Sequence, residues 1–184
     1  MNIYEIIMIS ISLAMDAFAV SICKGLVSKK NKIKEALMIG GAFGFFQGFM
    51  PIIGYYLGIV FKNKIVAIDH WVAFILLFII GINMIFENTD DESKNTELNI
   101  LTILFLAVAT SIDALAIGIT FAFLNVNLLF AAIIIAFITF ILSFIGYTFG
   151  NKIGDKLGSK AEKLGGITLI LLGLKILLEH LGVI

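Results

Sequence analysis

Six times along the chain a long apolar run gives way to a short polar break. The runs lie near residues 3–24, 36–61, 70–87, 98–123, 127–149 and 164–181. A helix needs roughly 20 residues to cross the hydrocarbon core of a bilayer, and each run approaches or exceeds that length. Strands with open edges and irregular coil leave backbone groups unsatisfied in lipid, so each run is expected to be a helix. The pattern therefore predicts an all-α polytopic membrane protein with six transmembrane helices, a single membrane domain over residues 1–184.

Composition strengthens that reading. Hydrophobic residues make up 60% of the chain, charged residues 14%, and the mean hydropathy is +1.09. Soluble domains carry about 25% charged residues, so this chain is expected to use lipid as its main solvent. Net charge is zero, with 13 lysines and no arginine, and nothing suggests a nucleic-acid surface. Cys23 is the single cysteine, which excludes an intramolecular disulfide. His70 and His180 fall near span ends and form no evident paired-histidine site for haem or zinc. No resident cofactor is expected. Ala17-Phe18-Ala19 resembles a signal-peptidase site, but the preceding segment lacks a basic start and contains Asp16, so retention is expected.

Lysines set the orientation. Lys24, Lys29, Lys30, Lys32 and Lys34 flank the first loop, and Lys152, Lys156, Lys160 and Lys163 the fifth. The fourth loop has none. The positive-inside rule then places the odd loops in the cytoplasm and both termini outside.

The two halves of the chain repeat each other. Met15-Asp16-Ala17-Phe18-Ala19-Val20 aligns with Ile112-Asp113-Ala114-Leu115-Ala116-Ile117 at an offset of 97, and Ile53-Gly54-Tyr55-Tyr56-Leu57-Gly58 with Ile145-Gly146-Tyr147-Thr148-Phe149-Gly150 at an offset of 92. The second offset also pairs Gly81 with Gly173 and Glu87 with Glu179. Repeat 1 is read as residues 1–89 and repeat 2 as 98–184, joined by an acidic cytoplasmic linker, 88–97, containing Asp90-Asp91-Glu92. Three spans per repeat is an odd number, so the second copy must cross upside down. Inverted repeats recur in secondary transporters, whose substrate site lies near the midplane between halves. A duplicated scaffold with no transport role is the plainer alternative.

Asp16 and Asp113 are repeat-related and deep in their spans. An ionised Asp at a helix centre costs roughly 2.5–3.5 kcal/mol, which calls for compensation. At about 100° per residue, Ile11, Met15, Phe18 and Ile22 form a bulky stripe expected to face lipid, as do Val108, Ile112, Leu115 and Ile119. Small stripes, Ser10-Ala14-Ala17-Ser21 and Ala107-Ser111-Ala114-Gly118, permit close helix approach. Both acids are thus expected to face protein. Two carboxylates balance a 2+ ion, and oxygen ligands suit hard cations such as Mn²⁺, Mg²⁺ or Ca²⁺. In span 2, Gly40, Gly44 and Gly48 favour tight packing, and Pro51 deprives the Gln47 carbonyl of its helical donor. Pro51 either breaks the helix to line a site or only kinks it. The candidate metal ligands are Asp16, Asp113, Gln47, Thr110, Ser111 and, more loosely, Ser12. Protonated Asp residues serving as structural hydrogen bonds are the rival reading. Asp69, His70 and Trp71 suit an outer interface, Lys175 pairs with Glu179 at i+4 or snorkels, and Asn83 is its repeat mate.

Leu13-Ala14-Met15-Asp16-Ala17-Phe18-Ala19-Val20-Ser21 with Lys24-Gly25 resembles the signature of the MntP family of manganese efflux pumps. Thr110-Ser111-Ile112-Asp113-Ala114, His70-Trp71-Val72-Ala73-Phe74 and Lys160-Ala161-Glu162-Lys163-Leu164-Gly165-Gly166 are similar to it too. The resemblance spans essentially the whole chain. It implies a bacterial inner-membrane exporter of Mn²⁺, carried as substrate, for which the acids matching Asp16 and Asp113 are needed. Two positions depart from the family pattern: Gln47, where some relatives carry Glu, and Asn83, where the commoner residue is a cation and here the cation is Lys175. The expected mechanism is alternating access, with protons as the candidate counter-ion. Rival functions are an intramembrane aspartyl protease, against which the absence of Gly-x-Gly-Asp at Asp113 counts, and an exporter of amino acids or small organic cations.

Overall fold

A computed structural model describes residues 1–28, 32–60, 78, 82, 100–124, 126–157, 167, 168, 170, 171, 174 and 178. The predicted third and sixth spans, the 88–97 linker, Asp69-His70-Trp71, Asn83, Lys175, Glu87 and Glu179 lie wholly or largely outside these residues. The described residues form five helices and no strand: α1 (Ile3–Val27), α2 (Lys32–Val60), α3 (Ile100–Thr110), α4 (Ile112–Phe121) and α5 (Leu128–Leu157).

Local chemistry sets the helix ends. At the start of α1, Asn2 and Glu5 form a capping box in which the Asn2 N–H donates to Glu5 Oε2 at 2.9 Å. The helix stops where Ser28 turns to extended backbone and its N–H closes on the Gly25 carbonyl at 3.3 Å. Asn127 Oδ1 accepts from the Phe130 N–H at 3.2 Å and opens α5. Among the described residues three helices, Ile3–Val27, Ile33–Ile59 and Leu128–Gly154, are long and apolar enough to cross a bilayer, with mean hydropathies of 2.2, 1.6 and 3.0. The helices α3 and α4 reach that length only together, and they are bent by 40° at Ser111. The expected fourth span is therefore two half-helices. By contrast α2 runs helical through Pro51. The backbone break falls in the second half of the chain, which has no proline.

Glycines decide how these helices meet, because backbone contact needs a missing Cβ. A Cβ on Gly40 would lie 3.0 Å from the Phe140 carbonyl, one on Gly44 2.8 Å from that of Ala136, and one on Gly48 2.9 Å from that of Ala132. As α2 numbers rise, α5 numbers fall, so these two helices are antiparallel. Gly146, Gly150 and Gly154 of α5 press against the backbone of Phe18, Ile22 and Leu26. Here the numbers rise together, so α1 and α5 are parallel. Likewise Gly54 and Gly58 meet Leu115 and Ile119, which makes α2 parallel to α4. It follows that α1 runs opposite to α4.

These contacts correct the lipid-facing stripes. Ile11 and Met15 are exposed, but Phe18 and Ile22 are partly covered by the glycines of α5, and Leu115 and Ile119 by those of α2. Bulk alone does not mark lipid exposure when the partner helix presents glycine. The small stripes are buried throughout: Ser10, Ala14, Ala17 and Ser21 are 0% exposed, and Ala107, Ser111, Ala114 and Gly118 are buried as well.

Candidate metal-binding site

The break between α3 and α4 organises the site. At Ser111 the backbone leaves the helical region (φ −106°, ψ 4°), and the Ser111 N–H reaches back only to the Val108 carbonyl, at 3.1 Å. Helix resumes when the Leu115 N–H donates to the Ser111 carbonyl at 3.3 Å. Two helix termini consequently face each other at the break. Terminal carbonyls of α3 carry partial negative charge and terminal N–H groups of α4 partial positive charge.

Asp113 occupies the first turn of α4, where a negative charge is favoured. Its Oδ1 accepts from the Ala114 N–H at 2.7 Å and from Gln47 Nε2 at 3.4 Å. Gln47 is fully buried, and its Nε2 also donates to the Leu13 carbonyl on α1 at 3.1 Å. One side chain of α2 thus bridges α1 to α4. Its Oε1 is buried and makes no hydrogen bond. Asp16 follows Leu13 by three residues on α1 and is half-buried.

Thr110 and Ser111 stand at the break. Thr110 Oγ1 donates to the carbonyls of Leu106 at 3.0 Å and Ala107 at 3.3 Å, and Ser111 Oγ donates to that of Val108 at 3.0 Å. Each hydroxyl spends its proton on α3, which leaves oxygen lone pairs available to a cation. Ser12 is exposed on α1. The structure thus joins Gln47 to Asp113 and to the α1 backbone three residues before Asp16, sets Thr110 and Ser111 at the adjoining half-helix junction, and leaves Ser12 on the surface.

Among the described residues no three His, Cys, Asp or Glu side chains gather as a metal cluster. Sequence reasoning missed the Ser111 break, the buried hydroxyls of Thr139 and Ser143, and a polar cluster at the first loop. In that cluster Ser28 Oγ and Tyr147 O–H both donate to Glu35 Oε2, and Asn151 Nδ2 donates to the Ser28 carbonyl at 2.8 Å and the Gly25 carbonyl at 3.4 Å. The Thr110-Ser111 pair was the one available signal for the break, since adjacent hydroxyl residues compete for helix carbonyls.

Comparison with known proteins gives this arrangement a context. The family described as "Mntp: Putative manganese efflux pump" matches residues 30–177. A protein of Acetivibrio thermocellus, named "Putative manganese efflux pump MntP", is 52% identical over 189 residues, covering 100% of this chain and 94% of its own length. Proteins of the same name from Campylobacter jejuni and Desulfitobacterium hafniense are 54% and 50% identical; the alignments cover 98% and 97% of this chain, and 98% and 95% of theirs. No solved structure matches the chain. With a match over most of its length and relatives at about half identity, the chain belongs to the MntP family, a family of membrane transport proteins and not of enzymes.

Proposed function

We propose that the chain exports a divalent metal ion, manganese, from the cytoplasm, holding it between Asp16 and Asp113 as two inverted halves of the protein rock about the site. The observation that carries this reading is one buried glutamine that bridges the α1 backbone at Leu13, three residues before Asp16, to Asp113 beside a broken span. Discontinuous helices at the meeting of inverted repeats are how many secondary transporters build an ion site. The names of the relatives support manganese as the cargo.

Neutralisation explains the chemistry. Two carboxylates and a 2+ ion carry no net charge together, so the loaded site can change sides without the full cost of moving a bare ion through low dielectric. The negative ends of α3 and the hydroxyls of Thr110 and Ser111 supply further oxygen, which suits Mn²⁺. Protons taken up by the acids after release would restore neutrality for the return step, so a proton is the natural counter-ion.

Alternating access is supported by the directions of the helices and by a difference between the two ends. Repeat-related α1 and α4 run oppositely, as do α2 and α5. At the first loop Glu35 and Tyr147 are buried together, while their repeat mates Asn127 and Tyr55 are exposed and half-buried. A two-fold related pair of ends in unlike states is what one half of an alternating cycle requires. The six apolar runs support six spans, and the lysine distribution supports a cytoplasmic first loop with both termini outside.

Mn²⁺ flux into proteoliposomes tests the reading. Asp16→Asn and Asp113→Asn should each abolish uptake, because each leaves the loaded site with an uncompensated charge. Wild-type rates in both variants, at equal incorporation, would end the proposal.

A further inference from the structure

Two hydroxyls of α5 stand out from every other buried hydroxyl in the described residues. A buried Ser or Thr in a helix ordinarily donates to a carbonyl three or four residues earlier. Ser10 and Ser21 do so at 2.6 Å each, and in α5 itself the half-buried Thr148 does so at 2.8 Å. Thr139 Oγ1 and Ser143 Oγ do not: both residues are 0% exposed, and neither oxygen has a hydrogen-bond partner. A buried polar group without a partner is destabilising and calls for a reason. The third such atom among the described residues is Gln47 Oε1, already at the site.

The repeat explains why these three belong together. At the offset of 92 that pairs α2 with α5, Thr139 is the counterpart of Gln47 and Ser143 of Pro51. The seating of the helices follows the same rule. Gly54 on Leu115 and Gly58 on Ile119 become, under the two offsets, Gly146 on Phe18 and Gly150 on Ile22, and both sets of contacts are present. So α5 stands to α1 as α2 stands to α4. Gln47 spans the Leu13 carbonyl and Asp113. The repeat-related neighbours of Thr139 are then the Thr110 backbone and Asp16.

We infer that Thr139, with Ser143 one turn further along α5, is an oxygen ligand for the divalent cation on the Asp16 side of the site, the second repeat's counterpart of Gln47. This rests on the metal-export reading. A hydroxyl kept free of the helix backbone can turn its lone pair to an ion. Neutral hydroxyl oxygens suit Mn²⁺ and Mg²⁺. They add coordination without adding charge, so the pair of acids still balances a 2+ guest.

The test uses the full chain in proteoliposomes, with Mn²⁺ uptake and thermal unfolding measured on the same preparations of wild type, Thr139→Val, Thr139→Ser and Ser143→Ala. Valine keeps the shape of threonine and removes an unpartnered hydroxyl, so its melting temperature should hold or rise while the KM for Mn²⁺ rises severalfold. Serine keeps the hydroxyl and should return the KM to near wild type; Ser143→Ala should raise it less than Thr139→Val. A wild-type KM in Thr139→Val overturns the inference and leaves the export reading intact. A lowered melting temperature with equal transport loss in the valine and serine variants also overturns it, since the residue would then act through packing. A folded wild type that moves no Mn²⁺ sinks the export reading, and this inference with it.

Discussion

Gln47 is where chemistry and packing meet. It holds the Leu13 carbonyl and Asp113 with one nitrogen while its own oxygen stays unpaired. Gln47→Glu would replace that neutral oxygen with a third negative charge and remove the donor to both partners. With Mn²⁺ as cargo, the extra charge should lower the KM and slow turnover, because a site that binds harder releases more slowly. Flux measured over a range of Mn²⁺ concentrations separates the two effects; a higher KM with unchanged maximal rate would contradict this account. The two acids stand out in the sequence because a carboxylate in an apolar run is costly and calls for compensation, whether by a cation or by a proton. Thr139 is not readable that way. Hydroxyls are common in membrane helices, and only its missing hydrogen bond and full burial, properties of the folded chain, separate it from Thr148.

At the scale of elements, the glycines make predictions that differ in sign. A Cβ on Gly118 would sit 2.6 Å from the Pro51 Cα, against backbone that cannot turn aside. Gly118→Ala should therefore push α4 from α2, lower stability by about 1–3 kcal/mol as overpacking does, and reduce transport. Gly41 has nothing within 4 Å of an added Cβ. Gly41→Ala should be neutral or stabilise by up to ~1 kcal/mol through helix propensity. Thermal unfolding in detergent compares them directly, and equal effects would remove the packing argument. Helix number and type within the described residues follow closely from hydropathy, and the α2 glycine stripe is legible from its spacing. The 40° break at Ser111 is not. Pro51 carries the stronger breaking signal, yet α2 passes through it, held by its long contact with α5 and by Gly118 receiving the proline backbone. Local propensity yields to packing there, while at Ser111 hydroxyls that bond α3 carbonyls leave the helix free to turn.

For the molecule as a whole, the Glu35 cluster links the end of α1, the start of α2 and the middle of α5 at the first loop. If it closes the cytoplasmic side, weakening it should raise the time spent open on that side alone. The chain contains its own reporter, since Cys23, one turn before the end of α1, is its single cysteine and only 2% exposed. Tyr147→Phe keeps the ring and removes the O–H that donates to Glu35. A side-chain hydrogen bond contributes about 0.5–1.5 kcal/mol, so the open population should grow roughly 2- to 12-fold. When opening is fast and rare, the rate at which a buried thiol reacts follows that population. A membrane-impermeant thiol reagent should then label Cys23 faster in inside-out vesicles and no faster in right-side-out ones. Tyr55→Phe, the same change at the repeat-related end, should leave cytoplasmic labelling as it was. Equal acceleration from both faces would mean that the cluster only stabilises the fold, and no acceleration from either would mean that the first-loop end is not where the protein opens.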